Sequence, residues 1–393
     1  MPGIERCGFP IAEVHADGSS VITKHPGTGG LVSVGTVTAQ LLYEIQGREY
    51  ANPDVVTRFD TIHLDQEGPD RVRISGVRGL PGPGDVKVAV NYLGGWRNSM
   101  TFVLTGLDIE AKAAVAERTL WSLLPGGRDG FEAVAVDLRR TDHPDPATND
   151  DALAELRVTV MDRDKEKVGR AFSNTVIEMV LASYPGFFTT SPPTDASSFG
   201  VYWPTLVPAD VPHHEVVLDG PGGPDRVPVA ALSADERATG AEPAAPITAE
   251  HETILAMSET NTQFAAADWD TATLQRVPLG RVAGARSGDK GGNANIGVWA
   301  RTEGLYRWLH TYLTADRLRE LLPETADLDV HRYDLPNLSA MNFIVVGLLG
   351  RGVAASTRTD PQAKGLGEYL RAKVVDVPAA LLADLPAIEP APA

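Results

Sequence analysis

The stretch Gly284-Ala285-Arg286-Ser287-Gly288-Asp289-Lys290-Gly291-Gly292-Asn293-Ala294-Asn295 carries the reading on which the fold turns. Glycines alternate there with six polar side chains, and apolar strand candidates flank it, the downstream one at 296–300. That pattern predicts a polar, Gly-rich loop joining two strands. Continuing downstream, helical periodicity is expected near 305–322, strands near 328–333 and 341–349, and a final helix from Pro361. The mixture describes a smaller α+β domain over 273–378, with helices on one face of a sheet. The Ala/Pro-rich residues 379–393 read as a flexible tail.

Upstream, 219–272 is rich in Pro, Gly and Ala, the composition of a linker, with one helix near 248–257. Residues 1–218 read as an α/β domain, a mixed sheet with flanking helices. Short apolar or alternating runs at 86–92, 133–138 and 156–160 are strand candidates. Thr105-Gly106-Leu107-Asp108 has the form of an N-cap with an acid at N3, opening a helix that continues to Leu124. A second amphipathic stretch runs over 165–183 and stops at Pro185-Gly186.

At 393 residues, two domains are the natural division. The net charge of −17 repels phosphate backbones and anionic lipid, which speaks against nucleic acid and membrane surfaces as partners. One cysteine, Cys7, excludes an internal disulfide framework and points to a cytoplasmic chain. No run of about 18 apolar residues spans a bilayer. A small anionic ligand remains compatible with the charge where local cations and backbone N–H groups converge.

Two loops offer such groups. In Lys24-His25-Pro26-Gly27-Thr28-Gly29-Gly30, the residues Gly27, Gly29 and Gly30 permit φ > 0, Thr28 adds a hydroxyl, and Lys24 and His25 add charge ahead of a helix over 31–45. Ligand cradle and tight structural turn both fit these residues. In the second loop Arg286, Ser287, Asn293 and Asn295 are ligand candidates, and Asp289 and Lys290 are candidate acid/base groups. As neighbours in an extended segment, Asp289 and Lys290 point to opposite sides. Ser356, Arg358 and Asp360 would share one face of a strand, with Arg358 a candidate anion ligand and Asp360 alternatively an N-cap. Arg97 and Arg140 each follow a strand candidate, where open α/β sheets bind ligands. No zinc-protease, nucleophile-elbow or cysteine–histidine pattern occurs. The acidic run 142–151 has the spacing of a solvated turn rather than a metal site, so no metal and no cofactor is evident.

The runs His25–Gly30 into Val37-Thr38-Ala39-Gln40-Leu41-Leu42-Tyr43-Glu44-Ile45, Asn91-Tyr92-Leu93-Gly94-Gly95, Leu104-Thr105-Gly106-Leu107-Asp108 and Gly169-Arg170-Ala171-Phe172-Ser173-Asn174 resemble the acyclic terpene utilisation AtuA family. So does Ala285-Arg286-Ser287-Gly288-Asp289-Lys290-Gly291-Gly292. The resemblance spans nearly the whole chain and implies a ferredoxin-like C-terminal domain. It also implies a role in breakdown of acyclic terpenes or branched acyl-CoA thioesters, with a lyase or hydratase acting on a 3-hydroxyacyl thioester as the expected activity. The alternative is a non-catalytic binding or assembly subunit of a catabolic complex, partnered by its own copies or another chain. Two departures stand out. A Gly-rich α/β region usual at the family's N-terminus is not found here, and Gln362-Ala363-Lys364 replaces a typical Gln-Gly-Lys.

Overall fold

In the computed structural model, residues 3–182, 184–229, 273–383 and 385 are described. Two compact units emerge, and they do not follow chain order. One comprises Met1–Ala89, Pro204–Val353 and Asp360–Ala393; the other comprises Val90–Trp203 and Ala354–Thr359.

The second unit is built on a sheet in the order Phe188–Thr189, Asp85–Thr105, Leu153–Asp162, Ala133–Arg140, each neighbouring pair antiparallel, with Ser197–Pro208 also paired to the long strand. The helix Ile109–Leu123 buries Ile109, Ala113, Ala116 and Leu120, a spacing of three to four that places all four on one face. With Met100, Phe102, Leu156, Val158, Phe172 and Val176 they form this unit's core. Its N-cap is Asp108 in a left-handed conformation with no side-chain cap, because Thr105 is still the last residue of the strand. The amphipathic stretch after 165 breaks at Gly169 into Lys165–Val168 and Arg170–Ala182.

The strand expected to end near 92 runs on to Thr105 through Gly94 and Gly95. These glycines make room rather than a turn. A Cβ on Gly94 would lie 2.4 Å from the Phe199 ring, and Gly95 has φ 132 with Asp162 O only 2.9 Å from where its Cβ would be. Arg97 therefore lies inside a strand, and Arg140 ends a strand of an antiparallel sheet, so the strand-end rule for parallel sheets applies to neither.

In the first unit, the sheet order is Ala283–Lys290, Asn293–Ala300, Ala340–Val345, Val330–Leu335, all antiparallel. Helices Glu303–Tyr312, Ala315–Leu321 and Leu366–Arg371 share a core with this sheet through Leu305, Leu309, Leu318, Leu370, Ile296, Val298 and Phe343. The helix expected over 305–322 is two, because Thr314 accepts a hydrogen bond from Arg317 N and caps a new one. The last helix starts at Leu366 rather than Pro361. Asp360 is not its N-cap; its carboxylate accepts from Lys364 N and Gly365 N at 2.8 Å each and closes the turn ahead of the helix.

A second cluster gathers Leu42, Ile45 and Ile62 with Leu335, Leu338 and Ala340, so residues from the start of the chain pack beside the C-terminal strands. Gly297 makes this approach possible, since a Cβ there would sit 2.4 Å from Leu42 Cβ and 3.0 Å from Leu42 O. Gly297→Ala is expected to destabilise the protein by about 1–3 kcal/mol in urea unfolding, the usual cost of overpacking. Elsewhere in this unit, His63–Gly68, Arg71–Ser75, Ser20–Thr23 and Ile11–Val14 form a four-stranded sheet beside the helix Val34–Leu41. The start of the expected linker is a hairpin, His214–Gly220 with Gly223–Val229. The rest of it, including the helix expected near 248–257, lies outside the described residues, as does most of the tail. Among the described residues no helix is long and apolar enough to cross a membrane.

Candidate functional site

The stretch 284–295 is a β-hairpin rather than a loop. Its strands pair from Ala283↔Ala300 to Lys290↔Asn293, and only Gly291-Gly292 connects them. A two-residue Gly-Gly connection suits the left-handed backbone of tight hairpin turns, and Gly291 has φ 65. Asn293 Oδ1 accepts from Gly347 N at 2.9 Å, and Gly292 O accepts from Leu349 N at 2.9 Å, which ties the tip to the turn at 347–350.

Strand alternation then divides the polar residues. On one face, Arg286 lies over the Tyr43 ring at 4.5 Å and Lys290 over the Tyr50 ring at 5.1 Å, while a Cβ on Gly288 would run into Tyr43 and Glu44. On the other face, buried Ser287 accepts from Gly367 N at 2.8 Å and donates to Lys364 O at 3.2 Å. Ser287 thus fastens the strand to the last helix. Asn295, fully buried, donates to Leu42 O at 2.9 Å and to Asn342 Oδ1 at 2.5 Å, and accepts from Glu44 N at 2.8 Å. Asn342 in turn donates to Ile45 O at 3.4 Å. This amide pair holds the backbone of 42–45 against the sheet, with Glu44 in the left-handed region at φ 57.

The Glu44 side chain is paired to Lys364 Nζ at 2.7 Å, and Lys364 also lies 4.3 Å from the Tyr43 ring centre. Lys364 follows Ala363, whose φ of 54 shows why glycine suits that position. Burial and, next, the Glu44 charge push the Asp289 carboxyl above its ordinary value. Burial and, next, repulsion from Lys87 hold the Lys290 ammonium below its ordinary value. Burial also lowers Lys364. Glu44 influences both Asp289 and Lys290, and it outweighs the effect of Lys290 on Asp289. An acid moved up and an amine moved down, both half-buried, are each shifted toward the uncharged form, as burial does. Four cations, Lys87, Arg286, Lys290 and Lys364, accompany two carboxylates, so the neighbourhood also favours an anion.

The other candidates have separate engagements. Lys24 bonds Thr28 O at 2.5 Å and pairs with Asp70 at 3.3 Å, and Thr28 donates its hydroxyl to His25 O at 2.7 Å. Gly29 N bonds Arg6 O and Val32 N bonds Asp70 Oδ1, so these N–H groups already have acceptors. Gly27 and Gly30 have φ 76 and 85, and Gly29 leaves no space for a Cβ because Gly3 O would be 1.5 Å away. The helix behind this turn begins at Val34, with Ser33 and Thr36 forming its capping box. Arg97 donates to Ala354 O and Ser356 O, and Arg140 pairs with Glu110 and Asp142. Ser356 lies in irregular backbone and Arg358 and Asp360 in bends, so the three share no strand face. Among the described residues, no three His, Cys, Asp or Glu side chains gather as a metal site would require.

Tyr43, Glu44, Tyr50, Lys87, Asn342 and Lys364 complete the site, and sequence reasoning did not single them out. Their partners lie far along the chain and leave no local periodicity. The only available signal was that Tyr43-Glu44 and Lys364 fall inside motifs shared with a family.

No curated protein and no solved structure matches the chain. Two family profiles do. Residues 1–218 match the acyclic terpene utilisation family protein AtuA, and residues 277–376 match the AtuA ferredoxin-like domain. Tyr43, Glu44 and Tyr50 fall in the first segment, and Arg286, Asp289, Lys290, Asn342 and Lys364 in the second, so the site draws on both. With more than half of its length matched by the first profile alone, the chain belongs to the acyclic terpene utilisation AtuA family and carries that family's C-terminal ferredoxin-like domain.

Proposed function

We propose that the protein is a cytoplasmic enzyme of branched acyl-CoA catabolism, a lyase or hydratase acting on a 3-hydroxyacyl thioester at the Asp289–Lys290 site. The observation that supports this most is the opposed displacement of the two groups, Asp289 upward and Lys290 downward, beside a surplus of cations. Dehydration removes a proton from C2 and expels the C3 hydroxyl as water after it gains a proton. Retro-aldol cleavage removes the hydroxyl proton, breaks C2–C3 and returns a proton to the enolate carbon. Either course needs a group that accepts and returns a proton, and a carboxyl of raised affinity suits that role better than an ordinary one. Arg286 and Lys364 would hold the carboxylate or phosphate end of the substrate.

The test is incubation of the full chain with branched 3-hydroxyacyl-CoA thioesters, with products followed by mass spectrometry. Formation of an enoyl thioester, or of a shortened thioester plus a carbonyl fragment, supports the reading, provided it is lost in Asp289→Asn. A chain that turns over none of these thioesters sinks it. The second reading, a binding or assembly subunit, draws support from Leu206, Val211, Val217 and Leu218, all of them exposed apolar side chains. Saturable thioester binding with no product would favour that subunit.

A further inference from the structure

A cavity of 430 Å³ opens in the first unit, lined by Pro278, Gly280, Arg281, Arg301, Glu368, Arg371 and Ala372. Its volume is that of a small-molecule site. Three of the seven lining residues are arginines and one is a carboxylate, so the lining carries a formal charge of +2 in a chain whose net charge is −17. Such a gathering of like charges in an acidic protein costs stability unless something anionic offsets it.

The local structure brings the guanidiniums together. Arg281 ends a short 3-10 turn at Leu279–Arg281, Arg301 follows directly on the strand Asn293–Ala300, and Arg371 closes the helix Leu366–Arg371. Gly280 lies under Arg371, since a Cβ there would sit 3.1 Å from Arg371 Nε. Arg371 bonds Glu368 at 2.6 Å through one terminal nitrogen, while its buried Nε has no acceptor among the described residues. Arg301 reaches Gly280 O at 3.5 Å. Although Arg301 as a whole is exposed, burial of its guanidinium and then repulsion from Arg371 and Arg281 lower its affinity for the proton. Three guanidiniums thus line the cavity, and Glu368 is the one carboxylate in its lining.

We infer that this cavity is a binding site for a small phosphate-bearing ligand, with a diphosphate group held by the Arg281, Arg301 and Arg371 guanidiniums. Guanidinium forks pair with phosphoryl oxygens two at a time, and two adjacent phosphoryl groups supply enough oxygens and charge for three of them. Glu368 sets the limit on affinity, because it competes for Arg371. The site is separate from Asp289 and Lys290, and it stands whether or not the thioester reading holds.

Isothermal titration of the full chain with inorganic pyrophosphate at low ionic strength provides the test. One saturable site per chain is expected, with pyrophosphate binding more tightly than citrate at equal concentration. Arg301→Gln should weaken it by about tenfold or more, as loss of a charge-assisted hydrogen-bonding partner does. Glu368→Gln should tighten it by freeing Arg371, a gain that damage to the fold would not produce. Arg307→Gln, which removes an exposed helix-surface charge paired to Glu303, should leave binding unchanged. Absence of saturable heat in the unaltered protein overturns the proposal. So does an equal loss in Arg301→Gln and Arg307→Gln, or tighter binding of citrate.

Discussion

Asp289→Asn is expected to cut thioester turnover by a factor on the order of 10²–10⁴, the usual contribution of a positioned general acid or base. The same change should raise thermal stability at neutral pH. Because burial and Glu44 push the folded carboxyl above its ordinary value of 3.8, the native chain binds that proton more tightly than the unfolded chain does. The resulting stabilisation is fully present below 3.8 and is lost as pH rises through the folded value. At neutral pH the native protein therefore holds an ionised carboxylate at a cost that the amide does not bear. The gain in melting temperature on Asp289→Asn should shrink as the pH falls and vanish in acid. In kinetics, the acidic limb of the pH–rate profile should lie above the ordinary aspartate range and disappear in the variant. A variant equally active, or less stable at pH 7, would remove Asp289 from the proposed role.

Asn295→Ala is the substitution with the largest expected effect on stability. It strips partners from three groups at once, namely Leu42 O, Glu44 N and Asn342 Oδ1. Each buried polar group left without a partner costs about 1–3 kcal/mol, so a loss of about 3–5 kcal/mol is expected in urea unfolding. Asn342→Ala should cost less, and the double variant less than the sum of the two, because the amides share one hydrogen bond. A loss under about 1 kcal/mol for Asn295→Ala would mean that the 42–45 segment is not held by the pair. Since that segment carries Tyr43 and Glu44, the variant should also disturb Asp289, which a change confined to packing would leave alone.

Much of the architecture was legible because local periodicity survives in it. The helix over 109–123 buries residues at helical spacing, and Val134, Val136 and Leu138 turn alternately toward the core, whereas the strand Ala340–Val345 is an apolar run buried at every position. The hairpin was misread as a loop for a specific reason. Gly284 and Gly288 look like turn residues, yet their Cβ positions are occupied by the Trp299 ring and by Tyr43 and Glu44. The volume that a strand normally supplies itself is supplied there by residues distant in sequence. The opposite facing of Asp289 and Lys290 followed from strand geometry alone. That Glu44 dominates the charge near Asp289 did not, because the two are brought together only by the fold. The antiparallel order of both larger sheets also changed the meaning of Arg97 and Arg140, whose positions matter only if neighbouring strands run parallel.

The buried amides that clasp residues 42–45 have a consequence for how the chain assembles on the ribosome. Their partners at 295 and 342 are made some 250–300 residues after Leu42 and Ile45. Most of the second unit, by contrast, is one continuous segment, Val90–Trp203. It emerges whole, and units tend to fold as they emerge. The central segment should therefore mature first, while the opening stretch waits for its distant partners, a closure whose entropic cost precedes any contact it gains. During that interval Leu42 and Ile45 have no shelter, and the nascent chain is at its most vulnerable to chaperone capture or aggregation.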